Sequence, residues 1–192
     1  MAVLYAQIIG GRVACESEAT LQLHLGRILS LAADLEIVAA GESLTIELEK
    51  PFDPTGDRRG RIDIWFAITS YTGGVERCAL ELKFFKKANH REPNNRYDVF
   101  RDMARLEACG SIADAAFMLV MTDHDHYPRC PALSPDTSDF DFRQGTTYWA
   151  GTEMTYRTGG YGPPITLAGD YEFKWEGAPG GLQYMLAQVA LR

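Results

Sequence analysis

The sequence predicts an α/β fold, a mixed sheet flanked by helices, with core elements in the order α-β-β-β-α-β. Three observations predict it. Apolar residues recur at helical spacing over residues 17–36 and again over 97–108. Between them lie three stretches with the two-residue alternation of half-buried strands, at 44–49, 61–68 and 77–85. After the second helix, residues 115–122 (Ala-Ala-Phe-Met-Leu-Val-Met-Thr) form a continuous apolar run of strand length, which suits a fully buried parallel strand.

The first helix carries Leu21, Leu25, Ile28, Leu29 and Ala32 on one stripe. Ser17 precedes it as an N-cap, acids occupy the first turn, and Gly41 closes the region. The strand at 44–49 (Leu-Thr-Ile-Glu-Leu-Glu) alternates strictly and leads into a turn-rich loop at 51–57. The strands at 61–68 and 77–85 are joined by Ser70-Tyr-Thr-Gly-Gly-Val, a hairpin connection. Residues 89–95, with Pro93 and three asparagines, break the pattern. The second helix restarts at 97, capped by Asn95 or a near neighbour, with Val99, Phe100, Met103 and Leu106 as its apolar stripe.

The last seventy residues, from Asp123, are rich in Gly, Pro, Tyr, Trp and Asp. They read as a β-rich elaboration of about 123–192 on a core of about 16–122, within one domain spanning 1–192. Short strands are expected at 146–149, 154–157 and 171–175, and a final strand or short helix at 182–191. Tyr148, Trp149, Tyr156, Tyr161, Tyr171, Phe173 and Trp175 have the chemistry to stack on nucleobases, but their alternation favours sheet core and cross-strand pairs.

A chain of 192 residues can bury a sizeable single core. No apolar run reaches the ~18 residues of a membrane span, and the N-terminus lacks the basic region of a signal peptide. The expectation is a cytoplasmic protein with no membrane partner. Cys15, Cys78, Cys109 and Cys130 lack CxxC spacing, so reduced, mostly buried thiols are expected rather than a zinc site. The net charge of −7 disfavours indiscriminate nucleic-acid coating, but it is unevenly spread. From Lys50 to Glu107 there are twelve Lys/Arg against nine Asp/Glu; the rest of the chain has seven against seventeen.

That basic island surrounds the chain's main chemical motif. Asp63 lies in Arg61-Ile-Asp-Ile-Trp-Phe, and Glu81 and Lys83 lie in Ala79-Leu-Glu-Leu-Lys-Phe. Alternation puts Asp63 with Trp65 on one face and Ile62, Ile64, Phe66 and Ile68 on the other; Glu81 and Lys83 likewise share a face opposite Leu80, Leu82 and Phe84. If the two strands pair, the three polar side chains meet. Two carboxylates are hard oxygen ligands suited to Mg²⁺ or Mn²⁺. Such an ion can stabilise charge on phosphate oxygens and acidify water, while a lysine can orient or deprotonate that water.

This arrangement resembles the PD-(D/E)xK nuclease superfamily, the restriction-endonuclease-like fold, over about residues 16–122. Ile62-Asp63 matches the first half-motif, with isoleucine where the pattern has proline, and Glu81-Leu82-Lys83 matches the second. The resemblance implies a metal-dependent nuclease that hydrolyses phosphodiester bonds, with DNA favoured over RNA and a defence or DNA-processing role. Asp63, Glu81 and the Leu82 carbonyl would be metal ligands, and Lys83 the catalytic lysine. Many members also place a glutamate on the first helix; Glu18, on the inward stripe with Leu21, Leu25 and Leu29, is the choice, with charge complementarity to the helix N-terminus as the competing expectation. A homodimer or protein partner would supply specificity. The alternative is a non-catalytic binding protein on the same fold, acting through a protein partner.

Lys86, Lys87, Arg91, Arg96, Arg101 and Arg105 are the candidate nucleic-acid contacts. Pairing within the helix, such as Asp98 with Arg101, is the competing expectation for Arg101 and Arg105. A separate cluster, Thr122-Asp-His-Asp-His-Tyr127, offers His124 and His126 as transition-metal ligands but lacks an evident third ligand. There is neither a GxSxG element nor a P-loop lysine after Gly159-Gly-Tyr-Gly.

Overall fold

In the computed structural model of the chain, residues 1–52 and 60–192 are described; the loop expected at 51–57 lies outside them from residue 53 on. A first helix, α1 (Ala2–Ile9), precedes the expected core and buries Leu4. Helix α2 (Glu18–Glu36) begins at Ser17 as expected. Ser17 Oγ accepts from Thr20 N at 3.2 Å while Thr20 Oγ1 accepts from Ser17 N at 2.9 Å, so two backbone donors of the helix start are satisfied. Then follow β1 (Ser43–Pro51), β2 (Arg61–Thr69) and β3 (Val75–Phe85).

Helix α3 (Glu92–Glu107) starts five residues before the expected position. Pro93 does not break it, because in the first helical turn proline's missing N–H would have no partner anyway. Strand β4 (Ala115–Thr122) lies where expected. Beyond it come a single turn α4 (His126–Arg129) and five two-residue strands: β5 (Thr147–Tyr148), β6 (Glu153–Met154), β7 (Ile165–Thr166), β8 (Tyr171–Glu172) and β9 (Trp175–Glu176). The tail is a strand, β10 (Gln183–Val189), not a helix.

The fold is α/β, with a mixed six-stranded sheet in the order β1-β2-β3-β4-β10-β9. Strands β3 and β4 are parallel, joined through α3; the other pairs are antiparallel. One face packs on α1 and α2 through Leu21, Leu25, Ile64, Leu80 and Leu82. The other packs on α3 and the C-terminal region through Val99, Phe100, Met103, Phe140 and Phe173. Along β3 the even residues face the first layer and the odd ones the second, which directs Glu81 and Lys83 toward α3.

The C-terminal aromatics are mostly core: Tyr148, Tyr171 and Phe173 are buried, Tyr156, Tyr161 and Trp175 are half-buried, and Trp149 projects into solvent. Cys15, Cys78 and Cys109 are buried free thiols, and Cys130 is a half-buried one. Among the described residues no helix is long and apolar enough to cross a membrane.

Candidate active site

The site forms where β2 and β3 part. Their ladder runs from Thr69↔Val75 to Ile64↔Leu80 and stops there. Just beyond that pair, the Leu82 N–H donates to Asp63 Oδ2 at 2.6 Å. A side-chain carboxylate thus takes a hydrogen bond that a neighbouring strand's carbonyl would otherwise accept. The carbonyl of Leu82, on the same side of its strand as its N–H, faces the same gap.

The expected alternation fails at this point. Ile62 belongs to the α3-side core and Ile64 to the α2-side core, so the two are not on one face. The cause lies on β1. Glu49, opposite Asp63, has a left-handed backbone (φ 55), and this step is missing from the β1–β2 ladder. Gln22 of α2 fills the gap. Its Nε2 donates to Asp63 O at 2.6 Å and to Glu49 Oε1 at 3.0 Å. Asp63 is therefore held at its backbone by Gln22 and at its carboxylate by Leu82.

Glu81 is fully buried, and α3 reaches it. Arg105 donates to Glu81 Oε1 from Nε at 2.9 Å and pairs with it through Nη2 at 2.7 Å. The same Nη2 lies 2.9 Å from Asp102 Oδ1. Asp102 is 1% exposed, and its Oδ2 lies 2.7 Å from Lys83 Nζ. On its other side Lys83 approaches Glu18 Oε1 at 3.9 Å. The expected group of Asp63, Glu81, Lys83 and Glu18 is thus brought together around two α3 residues, Asp102 and Arg105.

The four acids respond differently to burial. Desolvation drives the Glu81 carboxyl well above the usual range, and repulsion from Asp102 and Asp63 adds to it against the pull of Arg105 and Lys83. Burial also raises Asp63 and Glu18. Asp102 is as deeply buried, yet Lys83, Arg105 and Arg101 together hold it below the usual range. Burial alone would lower Lys83, but Asp102 and Glu18 outweigh it and raise its proton affinity. Lys83 is therefore an ammonium in this arrangement.

The basic candidates separate by burial. Lys86 pairs with Glu16, and Lys87 and Arg91 are exposed without an ion pair among the described residues. Arg101 is 52% exposed and pairs with Asp98 at 3.0 Å, the expected pairing within the helix. Arg105 is committed to Glu81 and Asp102 rather than free for a phosphate. Arg96 is fully buried, paired with Glu92, donating from Nη2 to Cys130 O at 2.9 Å and lying over the Tyr127 and Phe142 rings. That packing leaves it no surface for nucleic acid.

His124 and His126 sit side by side with ring centroids 5.6 Å apart. His124 Nδ1 accepts from the His126 N–H at 3.3 Å, and His126 Nε2 lies 3.4 Å from Glu92 Oε1. Among the described residues no group of three or more His, Cys, Asp or Glu is gathered as a cation site, here or at Asp63 and Glu81.

No protein-family model, no curated protein and no solved structure matches the chain.

Proposed function

We propose that the chain is a metal-dependent nuclease of the PD-(D/E)xK type, hydrolysing phosphodiester bonds at the Asp63–Glu81–Lys83 site. One observation carries this reading. Among the described residues Glu18, Asp63, Glu81 and Asp102 gather around Lys83 and Arg105, with Arg101 reaching Asp102 at 3.5 Å, so the acids outnumber the bases in a largely buried place. A fold retains such an excess of acid at a cost in stability, and a divalent cation offsets it.

The donors fit that cation in kind. They are hard oxygens, and Glu81 Oε2 is buried without a hydrogen-bond partner. Among the described residues Asp63 Oδ1 also makes no hydrogen bond, since Leu82 takes Oδ2. Asp63 and Glu81, with the Leu82 carbonyl facing the gap, would hold Mg²⁺ or Mn²⁺. The ion would supply positive charge against the phosphate oxygens and acidify water. Lys83, kept protonated by Asp102 and Glu18, donates to a phosphate oxygen and orients the attacking water rather than deprotonating it. Glu18, whose proton affinity burial raises, is the nearby acid able to accept a proton.

The Arg105–Glu81 pair favours a second reading, a non-catalytic protein of the same fold in which the network is only structural. The experiment that separates them incubates the protein with single-stranded and duplex DNA and RNA, in Mg²⁺, Mn²⁺ or EDTA, beside Lys83→Ala. Cleavage that needs the metal and falls about 10²-fold or more in the variant supports the nuclease. Cleavage undiminished in Lys83→Ala, or no cleavage and no metal binding, sinks it.

Asp102 acts through Lys83 as a positioning residue, and Asp102→Asn tests that role. Without the opposing charge the ammonium loses its proton more readily. The alkaline limb of the rate–pH profile should therefore move down by about one unit or more. A loss of rate at every pH with the limb in place would mean that Asp102 only supports the fold.

A further inference from the structure

Among the described residues, Glu49 and His90 are the two that carry a side chain at positive φ. Glu49 stands opposite Asp63. The β1–β2 ladder pairs Leu48 with Ile64 and Lys50 with Ile62, and omits the step between them. Left-handed backbone is unfavourable for any residue with a Cβ, and it persists only where the surroundings hold it.

Gln22 of α2 is what holds it. One turn further along the helix, Gly26 rests on β1, where a Cβ would stand 3.7 Å from Leu48 Cδ2. Gln22 is thereby carried over the gap, and its Nε2 donates to Asp63 O at 2.6 Å and to Glu49 Oε1 at 3.0 Å. A single amide ties the Asp63 carbonyl to the side chain of the residue opposite it.

The consequence falls on the Asp63 carboxylate. In an unbroken ladder Asp63 would project from one face of the sheet, with Ile62 and Ile64 together on the other. Instead Ile62 joins the α3-side core and Ile64 the α2-side core, and Asp63 Oδ2 reaches the Leu82 N–H at 2.6 Å. We infer that Gln22 is a positioning residue: with the left-handed Glu49 it keeps the ladder open, and the open ladder turns Asp63 toward Leu82 and the metal. The inference rests on the nuclease reading for the metal, whereas the turn of Asp63 can be followed without one.

Two substitutions at the exposed Glu49 test it, because they remove the same carboxylate and differ in backbone preference. In Glu49→Gly the residue adopts a φ of 55 freely, whereas the β-branched side chain of Glu49→Val favours the extended backbone that closes the ladder. Amide hydrogen exchange of the full chain in EDTA reads the Leu82 N–H. Titration with Mn²⁺ alone, followed by its paramagnetic resonance signal, reads the site. Leu82 should exchange about tenfold or more faster in Glu49→Val than in Glu49→Gly, while the amides of β4 stay as protected as in the wild type. Mn²⁺ should bind about tenfold more weakly to Glu49→Val than to Glu49→Gly. Gln22→Leu keeps the bulk and removes the donor, so it should match Glu49→Val in both measurements, and it decides alone if Glu49→Val unfolds.

Equal Leu82 exchange in the two Glu49 variants, or wild-type exchange in Gln22→Leu, overturns the inference. So does faster exchange spread evenly over Leu82 and β4, the mark of residues that only support the fold. A difference at Leu82 in a chain that binds no Mn²⁺ keeps the turn of Asp63 and removes the nuclease. Mn²⁺ binding that is alike in all the variants keeps the metal and removes the positioning role.

Discussion

Glu81→Gln should lose metal-dependent cleavage by about 10³-fold or more while folding at least as stably as the wild type. The two halves of this expectation have one cause. Ionised Glu81 is buried among Asp63 and Asp102, and its proton affinity is raised accordingly. A carboxyl whose pKa is higher folded than unfolded makes the fold more stable at low pH. That contribution falls as pH rises from its ordinary value of 4.5 through the folded value, because the unfolded chain gives up the proton first. Glutamine keeps the shape and removes the charge. Arg105 is not stranded, since it retains Asp102 at 2.9 Å and is partly open to water. A gain of about 1 kcal/mol, or ~2–4 °C in Tm, is expected at neutral pH. The wild type should approach the variant as pH falls through the folded pKa.

Metal provides the complementary readout. At a concentration tenfold above its dissociation constant, a cation that binds only the folded state stabilises it by about 1.4 kcal/mol. Mg²⁺ or Mn²⁺ should therefore raise the wild-type melting temperature by a few degrees and leave Glu81→Gln and Asp63→Asn unmoved. A variant less stable than the wild type by more than about 2 kcal/mol would mean that the Glu81–Arg105 pair is a structural ion pair, as buried pairs broken on one side behave.

Much of this site could be read from the chain. The alternation through residues 77–85 puts Glu81 and Lys83 on one face, and the structure keeps that phase along all of β3. The inward stripe of α2 brings Glu18 to Lys83. The environment of Asp63 could not be read, because alternation assumes an unbroken ladder. A left-handed backbone at Glu49 breaks it, and nothing in Leu-Glu-Lys marks that residue for positive φ. Pairing within the helix is the competing expectation for Arg105, and its Nη2 does lie 2.9 Å from Asp102 Oδ1. Their reach to Lys83 and Glu81 follows from the parallel β3–α3–β4 crossover, which lays the helix across the strand's odd face. A signal was present in an acid and a base three apart beside the apolar stripe Val99, Met103 and Leu106. Pro93 hides the early start of α3. The pairing of β10 with β4 joins distant parts of the chain, and local pattern carries no record of it.

The same helix sets the second large effect, which falls on stability. At the C-terminal end of α3, Glu107 is fully buried and accepts from four donors. These are Ala168 N at 2.8 Å, Gly169 N at 2.9 Å, the Tyr171 hydroxyl at 2.6 Å and Arg192 Nη2 at 2.6 Å. Its backbone carbonyl also accepts from Arg192 N at 2.8 Å. Glu107→Ala deprives two backbone N–H groups and a buried phenol of their acceptor at once. Each such loss costs about 1–3 kcal/mol, so destabilisation of about 3–5 kcal/mol is expected, seen as a drop of ~6–20 °C in Tm. Glu107→Gln should cost less, because one oxygen remains, but its amide would face donors with another donor. Neither change removes a group from the site. Where the variant is still folded, its metal-induced shift in Tm should match the wild type, since Asp63, Glu81 and Leu82 lie on strands that Glu107 does not touch. If instead the shift disappears while circular dichroism stays native, Asp102 and Arg105 must depend on the far end of their helix for their positions, and the C-terminal region would be part of the catalytic apparatus rather than a brace for α3.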